Sequence, residues 1–309
     1  MKLAAALFLA LVSLTAVAQP GSAQSFPSKP IRVVVPFPAG GTTDIVARLV
    51  GQRMSESMGQ PVLVENKGGA GGQIGAADVA KSPPDGYSVL IHNVTFPMAS
   101  VAAALQNRAM VQAAELGTPL QIEANFLQDK FLLLPLDNWR LSPKEAPAGP
   151  MTATGIHLLD LSVGVMGIAE RVFASVDTLG SQLTNGDTLG ILVRFKGGGN
   201  ALLGAVLATP FDGRFAVYGS RGWAEVRDKA HPESPRGWTL TTHMRGGEKQ
   251  TRDYPPAKAV LANLEGFADA AAGRAPYPVP QAEMIANVSA LEAIFRSAAS
   301  GKVEAVDNG

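Results

Sequence analysis

Two glycine-bearing loops offer the most chemistry in this 309-residue chain. The first is Pro38-Ala39-Gly40-Gly41-Thr42-Thr43-Asp44, and the second is Gly68-Gly69-Ala70-Gly71-Gly72. Each follows a short apolar run and opens a helical pattern. At such a junction the first amides of the helix lack intrahelical acceptors and the positive end of the helix dipole adds to them. Glycine lets a ligand approach the backbone. The matching chemistry is capture of an anion, a carboxylate or a phosphate. The same glycines would also serve as tight turns, and the residues alone leave both readings open. Ala70-x-Gly72-x-x-Gly75 has the spacing of a dinucleotide fingerprint with Ala in the first place. The acid expected at the end of the next strand is missing, where His92-Asn93-Val94 stand. The loop also follows the second strand of its unit rather than the first. No nicotinamide dinucleotide is expected there.

Other reactive groupings are scarce. Cysteine is absent, which removes disulfides, thiolate metal sites and Cys nucleophiles. The four histidines, His92, His157, His231 and His243, lack metal-ligand spacing, so no metal site is expected. There is no G-x-S-x-G elbow and no Walker A loop. Lys+Arg and Asp+Glu both number 26, so a nucleic acid or an anionic membrane is not an expected partner. Hydrophobic residues at 46% supply ample core.

The elements that must position the loops read as follows. Ile31 to Phe37 is a buried parallel strand, since consecutive β-branched residues show no alternation. The helix from Ile45 to Gly59 should bury Val46, Leu49, Val50 and Met54, with Thr43 or Asp44 capping its free amides. Pro61 to Glu65 is a second strand, Gln73 to Lys81 a second helix and Tyr87 to His92 a third strand. This is a β-α-β-α-β unit whose right-handed crossovers make the sheet parallel. Ahead of it, Lys2 and the apolar run to Ala18 have the pattern of a cleaved signal peptide, with cuts after Ala18 or Ala23. The alternative, a membrane anchor, wants a longer run of ~20 residues. The expected location is the periplasm.

Within residues 1–100, FPSKPIRVVVPFPAGGTTDIVARLV and VENKGGAGGQIGAADVAKSPPDGYSVL resemble the receptors of tripartite tricarboxylate transporters, the Bug or TctC type of solute-binding protein. The resemblance implies a small-carboxylate ligand and a membrane transporter as partner. It also implies a ligand site at Pro38, Ala39, Gly40, Gly41, Thr42 and Thr43, at Gly69, Ala70, Gly71 and Gly72, and near Thr95. The pattern stops near Ser100, where that family would continue into a second lobe.

Beyond it, Pro119 to Asp129 reads as a strand and Met151 to Gly167 as a helix with Ile156, Leu159, Val163 and Met166 apolar. Seven strand patterns follow between Val172 and Tyr254, separated by Gly and Asn turns, which argues for an antiparallel sheet. Two helices, about Ala257 to Ala272 and Pro280 to Ser300, close the chain. Helices on one face of an open sheet give an α+β domain. AELGTPLQIEANF, GIHLLDLSVGVMG, GSRGWAEVRD, FADAAAGRAPYPVP and ALEAIFRSAASGKVEAV together resemble the C-terminal domain of Gfo/Idh/MocA-type oxidoreductases. The resemblance implies NAD(P)-dependent chemistry on a sugar or polyol, with a Rossmann domain, a Glu-Lys-Pro lysine and an Asp-x-x-x-His pair. His157 matches that histidine and is the one candidate catalytic residue. Ala153 stands where the Asp would be, and no E-K-P occurs; Lys144-Glu145-Ala146-Pro147 matches neither order nor place. Asp160 reads as a capping or solvated side chain.

The expected organisation is a signal peptide over 1–23, a truncated receptor-like unit over 24–100, a seam over 101–116 and an oxidoreductase-like domain over 117–309. The expected function is an exported solute-binding protein, or a remnant of one, fused to a substrate domain that lacks its Rossmann partner. No cofactor and no enzymatic turnover are expected. The alternatives are an NAD(P)-dependent oxidoreductase and a non-functional recombination product. Self-association through the C-terminal sheet is a further expectation.

Overall fold

The computed structural model describes residues 26–69, 72–91, 115–256 and 258–308. The signal-peptide pattern, Ala70, Gly71, Thr95 and most of the seam lie outside the described residues. The chain divides into two compact units, residues 1–92 and 93–309.

In the first unit, strands β1 (Ile31–Val35), β2 (Val62–Asn66) and β3 (Ser88–Leu90) form a parallel sheet in the order β2-β1-β3. Helix α1 (Thr42–Met58) connects β1 to β2, and α2 (Gln73–Ala80) connects β2 to β3. Ile31, Val33 and Val35 cluster with Ala47 of α1, Val62, Val64 and Val89. Arg32, on the alternate side of β1, reaches Asp78 of α2, and its Nε lies 3.0 Å from Glu65. Alternation along one strand therefore gives α1 and α2 opposite faces.

The buried side of α1 departs from the sequence reading. Val46 and Leu49 are exposed, while Ala47 and Gly51 are buried. Small residues let the helix lie close on the sheet: a Cβ at Gly51 would already come within 3.1 Å of Val62. Branched side chains cannot fit in that seam, so the larger apolar residues turn outward. The cap also differs. Gly41 is the N-cap residue and no side chain caps the helix amides. Asp44 instead turns back and accepts the Gly40 amide at 2.8 Å. The C-terminal end is as expected, with Gly59 in the left-handed region at φ 67°.

The second unit is one open, mixed sheet with helices. Its strands are β4 (Pro119–Leu127), β5 (Ala169–Asp177), β6 (Thr188–Phe195), β7 (Asn200–Val206), β8 (Asp212–Gly219), β9 (Gly222–Asp228), β10 (Trp238–Met244), β11 (Lys249–Tyr254) and β12 (Glu304–Ala305). Their spatial order is β11-β10-β9-β8-β4-β7-β6-β5-β12. The sheet is not antiparallel throughout. β4 inserts between β7 and β8, parallel to the first and antiparallel to the second. Strand alternation specifies a face but not a neighbour, so the residue 207–211 connection reads as a hairpin and proves to be a step over β4.

Helices α3 (Ile156–Met166) and α5 (Gln281–Ser300) cover the inner face, where Ile122, Leu159, Val172, Val193, Phe195, Val217 and Ile294 are buried. Ser297 of α5 accepts the Ala174 amide at 2.9 Å and pins the helix to β5. The expected helix start at Met151 proves to be a π-helical turn, Met151–Gly155, which runs into α3. Helix α4 (Ala259–Ala271) does not join the covering layer. Leu261, Leu264 and Phe267 are exposed, and its described contacts are local, with Phe267 against Tyr277 and Asn263 accepting from the Tyr277 hydroxyl at 2.5 Å. Among the described residues no helix is long and apolar enough to cross a membrane.

Candidate functional site

Parallel strand order brings the two loops of the first unit together. β1 and β2 are neighbours with their carboxyl ends aligned, Val35 beside Asn66. A Cβ on Gly68 would stand 3.6 Å from the Phe37 carbonyl carbon and the Pro38 ring, so the loops pack directly on one another. Gly75 is required at the start of α2, because a side chain there would lie 2.7 Å from Pro36 and 2.9 Å from the Lys67 carbonyl. The backbone of the second loop turns through Gly69 and Gly72, at φ 114° and 95°, and Gly72 donates to the Gly69 carbonyl at 3.0 Å. The amides of Thr42 and Thr43 are the first of α1 and have no acceptor one turn back.

Asp44 occupies the middle of this junction and is 3% exposed. Its carboxylate takes both Arg48 Nε at 3.1 Å and Arg48 Nη2 at 2.9 Å, with Asn66 Nδ2 at 3.0 Å. The Arg48 hydrogen bond, helped by the Gly40 amide and Asn66, holds its pKa down to about 2 against burial. One loop amide is therefore already taken by an internal anion. Of the sequence candidates, Pro38 meets the second loop directly, at Gly68, while Gly69 packs on Ile74 and Gly72 bonds back to Gly69. Ala70, Gly71 and Thr95 lie outside the described residues.

The dinucleotide spacing can be tested on the same geometry. Gly75 does provide the close helix–strand approach of a fingerprint third glycine. The loop, however, follows the edge strand β2, and the third strand runs Ser88-Val89-Leu90-Ile91 with no carboxylate. These residues do not fit a dinucleotide.

In the second unit, His157 lies in the first turn of α3, 6% exposed. Burial pushes its pKa down to about 3, so the imidazole is neutral at physiological pH. Its ring has no hydrogen-bond partner among the described residues. Ala153 packs on the apolar cluster of Leu141, Leu183 and Leu207. Asp160 is neither a cap nor simply solvated: its Oδ1 accepts from Asn287 of α5 at 3.1 Å, joining the two covering helices.

The sequence reading gave no role to Asp187 or Asp228 and considered His231 only as a metal ligand. Asp187 is fully buried in the loop before β6. Burial opposes its charge, yet the Leu179 and Gly180 amides and the Ser181 and Thr188 hydroxyls hold its pKa to about 2. Asp228, the last residue of β9, is pushed up to about 7 by burial, and its Oδ1 is buried without a partner. Trp238, directly opposite, buries an equally unpartnered indole N–H. His231 packs on Phe126 and Phe211 with Nε2 3.0 Å from Gln128 Oε1. Asp187 is held by donors of its own loop, residues 179–188, whereas Asp228 and His231 depend on which strand ends meet. Among the described residues no group of three or more His, Asp or Glu is placed to hold a metal ion.

The family comparisons also divide the chain in two, meeting at residues 104–108. Residues 46–108 match the tripartite tricarboxylate transporter family receptor, and residues 104–225 match the GFO/IDH/MocA C-terminal domain. One segment of the chain is thus similar to each family. For the receptor-like unit, a UPF0065 protein from the TAR-I ttuE-ttuC' intergenic region of Agrobacterium vitis is 52% identical over 101 residues, covering 32% of this chain and 29% of that protein. BugT of Bordetella pertussis is 44% identical over 88 residues, covering 28% of this chain and 27% of BugT. The chain thus spans less than a third of the length of these curated relatives. Among solved structures, an oxidoreductase domain protein from Kribbella flavida superposes with a TM-score of 0.63 at 17% identity, covering 90% of this chain and 99% of that one. The aldose-aldose oxidoreductase from Caulobacter crescentus, complexed with glycerol, gives 0.60 at 15%, covering 90% and 100%. At such identities the likeness establishes the fold alone.

Proposed function

We propose that the chain is a fusion-like, exported protein whose receptor-like unit binds a small carboxylate weakly, delivered to or accepted from a membrane transporter. The observation that carries this reading is the packing of two strand-to-helix loops against each other at the carboxyl ends of adjacent parallel strands. The α1 and α2 amino termini supply oriented donors, with about 0.3–1 kcal/mol per exposed helix end. Charged hydrogen bonds add ~1.5–3 kcal/mol each where water is excluded. Two features weaken the site. The Asp44 carboxylate already occupies the Gly40 amide, and the chain spans too little of its relatives to supply a second lobe of that type. The balance points to a dissociation constant near ~1 mM, about −4 kcal/mol. Proposed location is the periplasm, after removal of the 1–23 signal.

Calorimetry with succinate, glutamate and citrate on the purified chain tests the site. Millimolar binding that weakens in Gly72→Val and tightens in Asp44→Asn, where a repelling charge is removed, supports it. Binding indifferent to both substitutions makes the loops mere turns. Micromolar affinity in the wild type would show a far better enclosed site than these loops provide.

The fold likeness supports a second reading, an NAD(P)-dependent oxidoreductase. Hydride transfer needs a nicotinamide held against its substrate. The Gly72 loop lacks the fit described above, His157 stands neutral and unpartnered, and Ala153 occupies the place of its acid. We therefore propose no cofactor and no dehydrogenase turnover. Saturable, micromolar NADH binding followed by protein fluorescence, lost in Gly72→Val, would reverse that assignment. A chain that binds neither carboxylate nor NADH would be the non-functional recombination product.

A further inference from the structure

The outer face of the second unit's sheet treats its cations in two ways. Arg214 is held by Glu225 at 2.6 Å and Glu123 at 3.3 Å, and Arg227 by Asp212 at 3.1 Å and Glu225 at 3.0 Å. At the end of the same sheet three cations have no carboxylate partner among the described residues: Arg221, Arg245 and Lys249. The topology gathers them. β9 and β10 pair with Trp223 opposite His243, so the β8–β9 and β10–β11 turns end side by side. The Arg245 amide donates to the Arg221 carbonyl at 2.7 Å and locks the two turns together. Between them lies a groove of about 290 Å³ lined by Tyr218, Arg221, Trp223, His243, Met244 and Arg245.

The side chains are partly fixed in place. Arg245 Nη2 donates to the Ser220 carbonyl at 2.7 Å, which orients the guanidinium without neutralising it. The Arg221 guanidinium has no partner among the described residues. Lys249 Nζ sits 5.6 Å from the centre of the Trp223 ring, and the His243 ring meets Trp223 edge-on at 6.0 Å. His243 Nε2 lies 3.1 Å from the Gly247 carbonyl, so that nitrogen carries the proton. The nearest acid along β9, Glu225, is consumed by Arg214 and Arg227, and Glu248 in the turn forms no ion pair among the described residues.

In a chain with equal numbers of acids and bases, three unpaired cations around an aromatic wall concentrate positive potential where an anion can reach it. Guanidinium groups suit a tetrahedral oxyanion, which they can grip with paired N–H donors. The groove volume of about 290 Å³ falls at the lower edge of ligand pockets, ~300–1,000 Å³, and suits a small anionic group. We propose that this groove is a binding site for a small phosphate or sulfate monoester, with the oxyanion on Arg221 and Arg245 and the ester's apolar group against Trp223 and Met244.

Calorimetry on the full chain with phenyl phosphate, phenyl sulfate and inorganic phosphate, at low and at ~150 mM salt, tests the proposal. Phenyl phosphate should bind saturably, perturb Trp emission, and bind at least tenfold tighter than inorganic phosphate. Arg221→Ala should weaken it about tenfold, the loss of one charged contact. Lys196→Ala, at an exposed lysine of the β6–β7 turn, should leave binding unchanged. Tighter binding of phenyl phosphate than of phenyl sulfate would assign the site to a dianion, and equal binding to either ester. The Arg221 guanidinium has no ion pair or hydrogen bond among the described residues to lose, and Ala keeps the backbone bonds of the turn, so the variant should melt close to the wild type. Unchanged affinity in Arg221→Ala, or an equal loss in Lys196→Ala, overturns the proposal, since attraction would then be general rather than sited.

Discussion

In the receptor-like unit the buried apolar side chains are Ile31, Val33, Val34, Val35 and Ala47, whereas the oxidoreductase-like unit encloses a continuous core running from Leu116 to Val306. The first unit leaves Ile45, Val46, Leu49, Met58, Leu63 and Ile74 exposed around a three-stranded sheet. The second closes α3 and α5 over alternating strand positions. Small units bury a smaller fraction of their chain, but size alone does not explain α1, where Met54 packs on the core while Ile45, Val46, Leu49 and Met58 face outward. The lesson is that local pattern builds a correct β-α-β-α-β unit even when much of the apolar surface finds no cover within it. Apolar burial in this protein is concentrated in the second unit, and in both units a buried carboxylate, Asp44 or Asp187, ties down a loop.

The largest test of that contrast is Phe195→Ala, which removes a 1% exposed ring from the second core. It should lower stability by ~3–5 kcal/mol, read from urea unfolding of the full chain. A loss below ~1 kcal/mol would mean that the second core is loosely packed.

Next is Asp187→Ala, which strands two amides and two hydroxyls. The expected loss is about 2 kcal/mol. The pH dependence has a fixed sign. A carboxyl whose folded pKa is about 2, below its unfolded value near 4, contributes stability above pH 4 that disappears as pH falls towards 2. The variant should therefore converge with the wild type at low pH, which thermal melts from pH 7 to pH 2 can follow. Asp44 obeys the same rule within the first unit.

Asp228→Asn should act in the opposite direction. With a folded pKa of about 7, above the unfolded value, the wild type loses stability as pH rises from 4 through 7. At pH 8 the variant should be more stable, by on the order of 2 kcal/mol. Equal melting temperatures at pH 8 would show that the Asp228 carboxylate finds solvent or a partner on ionising.

The smallest effect belongs to α1. Leu49→Gln, at a 62% exposed position, should change stability by less than ~0.5 kcal/mol. A clear loss would show that this helix face is covered after all and would narrow the difference between the units.

Legible in the sequence were the two segments that resemble known families, the order of strands and helices apart from the two-residue β12, glycine stops such as Gly59, and the two loops that carry the carboxylate reading. These depend on short-range pattern: β-branched runs, alternation, and glycine where φ must be positive. Tertiary structure alone decided which face of α1 is buried, because close packing at Ala47 and Gly51 outweighs the periodicity of Val46 and Leu49. It placed β4 between β7 and β8, since alternation names a face and never a neighbour. It left α4 outside the covering layer despite its apolar residues. It also set the charges at His157 and Asp228 through burial, folded the 179–188 loop so that its amides and hydroxyls converge on Asp187, and brought Arg221 and Arg245 to one groove with Lys249 beside its Trp223 wall. A side chain's ionisation depends on the dielectric and donors around it in space, and even where the donors are near in sequence, as for Asp187, only the folded loop aims them at the carboxylate.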